Sequence, residues 1–310
     1  MLSRVADNLY WFGRYLQRAE ATARLVTVNG HLLLDLPKQV QTGWQPLIEI
    51  LGVEKQFKAL YKEPDETSVV RFLLTDDRSP SSIVSAVKRA RELARTLRDT
   101  MPQESWEKLN DLYMLLMADG EKCLNRRYRQ AFLGHVIDDC MLMFGLLTSN
   151  MSRDLGFQFL RLGTNLEQAD MTTRILDVRS VNLIRTKAAG ELASFDNIQW
   201  MSVLRSLTAY EMYRREVRAR VQGDQVLSFL LQDREFPRSV VFCLARMQRT
   251  LGKLPEKRGV ERAIGRTLAL LRDADIEKLV EKGLSEFLDE VQVGIAAIND
   301  ALSEAYFKVS

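Results

Sequence analysis

The sequence predicts an all-α protein. Apolar residues recur every three or four positions along almost the whole chain, and alternating β-branched runs bounded by hairpin turns are missing. Prolines and glycines interrupt this pattern at intervals and mark where helices end. The 310 residues are 46% hydrophobic and 27% charged, which is enough to bury a sizeable core. We therefore expect a multi-helix bundle.

Each predicted helix is an amphipathic stretch between such breaks. The first half of the chain gives one long helix followed by five shorter ones, over residues 4–35, 43–61, 67–75, 80–99, 104–118 and 122–149. The breaks between them fall at Pro37, Pro64, Pro80, Pro102 and Gly120. The second half gives another long helix followed by five others, over 152–179, 195–221, 223–232, 237–253, 257–272 and 276–307. Here the breaks fall at Gly190, Gly223, Pro237 and Pro255, and the last predicted helix is longer than the one over 152–179.

A stretch near the N-terminus recurs 150 positions later, which indicates an internal repeat. Residues 13–26 read GRYLQRAEATARLV, and residues 163–176 read GTNLEQADMTTRIL. They share five identities in 14 columns, whereas average residue usage predicts roughly one. Gly13 and Gly163 occupy the same column, although glycine costs a helix about 1 kcal/mol relative to alanine. We therefore expect another backbone to pack closely against both glycines.

A second pair of stretches supports the repeat. Residues 72–89 read FLLTDDRSPSSIVSAVKR and match residues 229–246, FLLQDREFPRSVVFCLAR, at an offset of 157. Each is interpreted as a helix end, an aspartate in a loop, and a proline in the first turn of the next helix, with Ser79 as the cap in the first copy. Trp44 and Trp200 match between the two anchors.

Together the anchors predict one domain over residues 1–310. We expect it to consist of two internal repeats of about 150 residues, 1–150 and 151–310, related by pseudo-twofold symmetry.

The repeated helix carries a candidate polar site. Arg24 follows Glu20 by four residues and Arg174 follows Asp170 by four, the order that favours an intrahelical ion pair. The pairs can be structural and fix register, with Glu20 binding Arg174 and Asp170 binding Arg24 across the repeats. Alternatively, they form one shared site that grips a carboxylate, phosphate or amine of a substrate or partner.

These stretches resemble the bacterial alpha-E family, helical proteins named for a recurring Glu-Arg motif, over essentially the whole chain. The resemblance is carried by YWFGRYLQRAEATARL, RLGTNLEQADMTTRILDVR and FLLQDREFPRSVVFCL. The family pattern Glu-Arg-Ala-Glu/Asp falls on residues 17–20 and 167–170. This chain departs from it once in each copy, with Gln17 for the glutamate and Gln168 for the arginine, so Arg18 and Glu167 retain the motif. Both therefore join the candidate site.

The resemblance also implies partners. Family members are expected to work with a circularly permuted ATP-grasp ligase and a transglutaminase-like protein, in a pathway that makes or attaches a peptide. The residues themselves carry few catalytic signatures: the two histidines lie outside metal-binding motifs, and Gly-rich phosphate loops are missing. We therefore expect neither a cofactor nor a metal.

The charge balance and the cysteines indicate which partners and which cellular compartment to expect. The chain has 44 basic and 41 acidic residues, so a nucleic-acid partner is not expected. Arg214, Arg215 and Arg218, predicted to lie along one helix, form either a solvated face or a docking surface for an acidic partner. Three dispersed cysteines, a charged N-terminus and the lack of a long apolar run predict a cytoplasmic protein that is not embedded in a membrane.

We thus expect an accessory, non-catalytic component of a peptide-forming amidoligase system that binds the ligase or its peptide product. One alternative is an enzyme in its own right that acts on amide bonds at the Glu/Asp–Arg site. Another is a purely structural scaffold.

Overall fold

A computed structural model describes residues 3–37, 41–188, 195–218 and 220–308. Throughout these ranges the regular structure is helical, which confirms the all-α class. The α-helices of the described chain are, in order, α1 (Ser3–Asp35), α2 (Gln45–Ile50), α3 (Glu54–Leu60), α4 (Glu66–Leu74), α5 (Ile83–Thr96), α6 (Gln103–Asp119), α7 (Arg126–Asn150), α8 (Leu155–Ala188), α9 (Asp196–Ser206), α10 (Tyr210–Glu216), α11 (Gly223–Gln232), α12 (Val240–Leu251), α13 (Arg258–Asp273), α14 (Ile276–Glu281) and α15 (Leu284–Leu302).

The chain forms two compact units. The first unit comprises residues 1–27, 43–167 and 306–310, and the second comprises 28–42 and 168–305. The first 25 residues of α1 and the first 13 of α8 therefore belong to the first unit, and the rest of each helix to the second. These units are compact bodies, whereas the repeats 1–150 and 151–310 are defined by sequence and stay a prediction.

Three predicted helices are wrong in one respect, because each is divided by a residue with left-handed backbone. Gly52 (φ 64°) separates α2 from α3, Thr208 (φ 51°) lies between α9 and α10, and Gly283 (φ 98°) lies between α14 and α15. A right-handed helix cannot continue through a positive φ. By contrast, the long predicted helix 4–35 matches α1 to within one residue at its start.

In the first unit, α1 and α8 run side by side in the same direction, and two glycines let them approach closely. A Cβ atom added to Gly13 would lie 2.7 Å from the carbonyl oxygen of Leu160, and one added to Gly163 would lie 2.0 Å from that of Tyr10. The contacts are reciprocal in sequence, since residue 160 is the counterpart of residue 10 at the repeat offset of 150. The predicted backbone contact at both glycines is confirmed.

The connectors that lead into α5 and α12 are capped in the same way. The Ser82 hydroxyl accepts the backbone N–H of Ser85 at 3.1 Å, and the Ser239 hydroxyl accepts that of Phe242 at 3.1 Å. The predicted cap at Ser79 is wrong, because α5 begins three residues later than a cap at that position requires. For the same reason Pro80 and Pro237 lie in the connectors before the caps and not in the first helical turns.

We expect Gly163→Ala to lower the free energy of unfolding by about 2 kcal/mol or more, because the new methyl group overlaps the α1 backbone. Gly134→Ala, inside α7, is the matched control: its added Cβ meets no atom within 4 Å, so it should raise stability by about 0.5–1 kcal/mol. Urea denaturation followed by circular dichroism measures both. Equal effects of the two substitutions would contradict the close packing.

The caps give a second prediction. Ser82→Ala and Ser239→Ala should each cost about 1 kcal/mol through loss of the N-cap hydrogen bond. Ser79→Ala should be close to neutral, because the Ser79 hydroxyl is buried and makes no hydrogen bond in the described structure. Thermal melting of the three variants decides between the two serines, and a larger loss at Ser79 than at Ser82 would refute the assignment.

Candidate functional site

The Glu-Arg motif forms a buried ion triad in the first unit. Arg14 and Arg18 lie one turn apart on α1, and their Nε atoms donate to the two carboxylate oxygens of Glu167 on α8, at 2.7 and 2.6 Å. The Glu167 side chain is 1% exposed. Both oxygens of this carboxylate therefore bind guanidinium groups, and the charge-assisted hydrogen bonds join the two helices next to their glycine contact.

The electrostatics of the triad favour the ionised acid. Burial alone would raise the pKa of Glu167, but the positive charges of Arg18 and Arg14 outweigh it and hold the pKa at about 2, well below the usual 4.5. The carboxylate thus stays charged at neutral pH. A carboxylate with so low a pKa is a weak proton acceptor near pH 7, because the ideal general base has a pKa close to the working pH.

Aromatic rings of α1 lie close to these arginines. The Arg14 guanidinium lies 4.7 Å from the ring centroid of Trp11. Arg18 and Arg89, the latter from α5, lie 5.9 and 5.6 Å from the ring of Tyr15. Such cation–π contacts hold the guanidinium groups in place. The triad and its rings together tie α1 to both α8 and α5 within the first unit.

Glu20 lies deeper in the same unit and is fully buried, at 0% exposed. Arg24 donates to one of its carboxylate oxygens, and the amide of Gln17 donates to the other at 2.8 Å. Gln17 is one of the two departures from the family pattern. As an amide it donates a hydrogen bond to Glu20, whereas a glutamate at this position would set two carboxylates against each other.

The second copy of the pair is more open. In the second unit Arg174 donates to Asp170 at 2.9 Å, and the two side chains are 34% and 15% exposed. Thr172, the counterpart of Thr22, donates its hydroxyl to the carbonyl oxygen of Arg238 at 2.9 Å, which ties α8 to the connector before α12. Both predicted acid–arginine pairs therefore form within their own helices.

These contacts limit what the arrangement can do chemically. The motif acids of the first unit are buried and bonded to arginine or glutamine, so neither is open to a substrate. Within the described ranges, no group of three or more histidine, cysteine, aspartate or glutamate side chains is placed to hold a metal ion.

Cys123, Cys140 and Cys243 are free and buried. Burial raises the pKa of both Cys123 and Cys243 to about 12, and that of Cys140 well above its usual value. A thiol with so high a pKa is protonated at neutral pH and is a poor nucleophile.

The predicted arginine surface is only partly on a helix. Arg214 and Arg215 lie in the last turn of α10 and are exposed. Arg218 is also exposed, but its predicted place on the same helix is wrong, because α10 ends at Glu216 and Val217 is extended (φ −99°, ψ 98°). The three side chains are therefore neighbours in sequence and do not form one helical stripe.

The helix α7 contains a strongly apolar stretch. By length and composition alone, α7 could cross a membrane, although a third of its most apolar window is buried in the protein. A single helix of this kind is weak evidence, since core helices pass the same test. Asp139 within it pairs with Lys108 of α6 at 2.8 Å in the first unit.

Sequence reasoning missed Arg14, the second arginine on Glu167. Arg14 lies outside the four-residue family pattern at positions 17–20. The feature of the sequence that could have indicated it is its position one turn before Arg18 on the same face of α1. It also missed Arg179 and Asn29, buried polar residues of the second unit that hydrogen-bond at 2.8 Å.

The fold and the site define an all-helical domain organised around buried Glu–Arg pairs. The chain belongs to the Alpha-E family, described as a predicted alpha-helical domain with a conserved ER motif, which matches residues 1–307. No solved structure matches the chain.

Relatives occur in mycobacteria. An uncharacterised protein of Mycobacterium bovis and two of Mycobacterium tuberculosis strains are each 25% identical to the chain over 323 aligned positions. The alignments cover 95% of this chain but only 35% of each relative. The chain therefore spans about a third of the length of the curated relatives it matches.

The triad predicts unequal stability effects for the two copies of the motif. Glu167→Gln should lower the free energy of unfolding by about 2–4 kcal/mol, because it leaves two half-buried guanidinium groups without their acid. Asp170→Asn removes a more exposed intrahelical pair and should cost less than about 1 kcal/mol. Urea denaturation at neutral pH measures both, and similar losses would contradict a buried triad.

The pH dependence follows from the low pKa of Glu167. Its ion pair contributes stability at any pH above the usual glutamate value, and this contribution is lost as the pH falls toward about 2. The stability difference between wild type and Glu167→Gln should therefore shrink between about pH 5 and pH 2. A difference that stays constant over this range would show that the carboxylate has an ordinary pKa.

Proposed function

We propose that the protein is an accessory, non-catalytic component of a peptide-forming amidoligase system. It binds a circularly permuted ATP-grasp ligase or the peptide that this ligase makes, and a transglutaminase-like protein acts in the same cytoplasmic pathway. Its two repeats are copies of one helical unit related by pseudo-twofold symmetry, an arrangement supported by the reciprocal glycine contacts and the matching serine caps.

The observation that carries the proposal is the burial of the motif. Glu167 is held by two arginines and is 1% exposed, and Glu20 is held by Arg24 and Gln17. Catalysis needs acids that reach the reacting atoms of a substrate. Glu167, enclosed in this way, fixes the register of α1 against α8 instead, and Glu20 is held within α1. Both arrangements favour an adaptor over an enzyme.

The relatives support a function in which this domain acts together with another protein. In the mycobacterial chains the matched region is joined to further sequence that makes up about two thirds of the length. A helical domain attached to a larger chain there is consistent with a helical subunit that docks on a separate protein here.

Co-purification with the ATP-grasp ligase of the same organism tests the proposal. The tagged chain should retain the ligase, and Arg214→Glu/Arg215→Glu should weaken retention about fivefold or more, since charge reversal at a docking surface repels an acidic partner. The matched control is Arg262→Glu/Arg266→Glu, which reverses two exposed charges on α13.

Two results would contradict the proposal. Failure of the folded wild-type chain to retain either the ligase or its peptide product would remove the adaptor role. Amide-bond turnover by the chain alone, abolished by Asp170→Asn in a protein that still melts normally, would establish the enzyme alternative.

A further inference from the structure

The second unit contains an acidic cavity that the Glu-Arg motif does not explain. Its volume is about 490 Å³, within the range of small-ligand pockets. Five carboxylates line it: Glu216, Asp224, Asp233, Asp275 and Glu277. Apolar groups lie among them, including Val217 and Phe229, and none of the lining residues is basic.

In the first unit, the aspartate at the equivalent position binds an arginine of the same chain. Asp76, the counterpart of Asp233, receives the guanidinium of Arg78 in a bidentate contact, with Nε to Oδ1 at 2.8 Å and Nη2 to Oδ2 at 2.7 Å. The Tyr61 hydroxyl also donates to Oδ2, at 2.7 Å. These bonds lower the pKa of Asp76 to about 2.

The two aspartates occupy the same local frame. Asp76 accepts the backbone N–H of Arg78 at 3.0 Å, and Asp233 accepts that of Glu235 at 2.7 Å. The pairing of residues 78 and 235 follows the offset of 157 that relates the two aspartates.

The helices before the aspartates match as well. Tyr61 caps the C-terminus of α3 with extended backbone and bonds to the carbonyl oxygen of Phe57. Val217 does the same for α10, with a bond to Tyr213. The next aromatic contact is also repeated: Phe57 meets Phe72 edge-on at 5.2 Å, and Tyr213 meets Phe229 edge-on at 5.6 Å.

Both side chains that cover Asp76 are replaced in the second unit. Val217 stands in the place of Tyr61, which removes a phenol ring and its hydroxyl donor. Glu235 stands in the place of Arg78, which exchanges the bound cation for another acid. Asp233, which lines the cavity, is therefore not offered the two donor side chains that Asp76 receives.

The remaining charges in the cavity repel one another. The pKa of Glu216 is raised, first by partial removal from water and then by the adjacent carboxylates of Asp233 and Glu235. Of the lining acids, Asp275 is paired with Lys278 at 2.7 Å. A cation that enters between Glu216 and Asp233 would relieve this repulsion.

We propose that this cavity binds the guanidinium group of an arginine residue carried by a peptide or protein partner. Asp233 takes the part that Asp76 takes toward Arg78, Glu216 supplies a second acceptor, and Phe229 offers an apolar wall for the aliphatic stem. Arginine fits better than lysine, because its planar fork matches a carboxylate in two parallel hydrogen bonds. The inference does not depend on the proposed adaptor function.

Isothermal titration of the full chain with three short peptides tests it. The probes are acetyl-Gly-Arg-Gly-amide, the same peptide with lysine, and the same peptide with citrulline, the neutral isostere of arginine. The arginine peptide should bind most tightly, and the citrulline peptide at least about tenfold more weakly, because it lacks the positive charge. Equal binding of all three would overturn the proposal, and tighter binding of the lysine peptide would replace the guanidinium by a simple ammonium site.

Two variants locate the site. Glu216→Gln should weaken binding of the arginine peptide about fivefold. Glu235→Arg restores the residue type of the first unit, and the new arginine should fill the cavity itself, abolish peptide binding and leave a folded chain. The control is Glu290→Gln, which removes an exposed charge on α15 outside the cavity. Binding of the arginine peptide that survives Glu235→Arg unchanged would place the site elsewhere and refute the assignment.

Discussion

The close approach of α1 and α8 is the constraint on which the first unit depends. A Cβ atom at position 13 or 163 would overlap the partner backbone, so any residue other than glycine would force the two helices to shift. This proximity brings Arg14 and Arg18 within reach of Glu167 and excludes water from the carboxylate. Desolvation would penalise a lone acid heavily, and two guanidinium groups offset that penalty. The glycine contact therefore positions the ion triad, and both join the same two helices.

A structural feature that only one residue type can satisfy could be predicted from the sequence. Two glycines in the same column of a repeated helix predicted a backbone contact, and it exists at both. Features that depend on the crossing of helices were not. The partner of Glu167 across the helices could not be inferred from spacing along one helix, and the choice of Ser82 over Ser79 as a cap depends on where the backbone enters α5.

The two units also show how similar local frames diverge in chemistry. The connectors keep their aspartates, their serine caps and their edge-on aromatic pairs. The side chains around the aspartates differ, so that one acid is neutralised by its own chain and the other faces an open cavity. The motif varies in the same manner: Arg14, Arg18 and Glu167 form the triad, whereas their counterparts at the offset of 150 are Thr164, Gln168 and Gln17. Such differences lie outside the reach of helical periodicity, which records only which positions are buried.

The central claim is that the Glu-Arg motif is a structural lock between two helices. A double-mutant cycle of Arg18→Gln and Glu167→Gln, measured by urea denaturation at neutral pH, tests it most directly. The account predicts a coupling energy of about 1–3 kcal/mol between the two residues, as expected for contacting members of one ion network. A coupling within about 0.3–0.5 kcal/mol of zero would mean that the residues act independently, and it would contradict the lock.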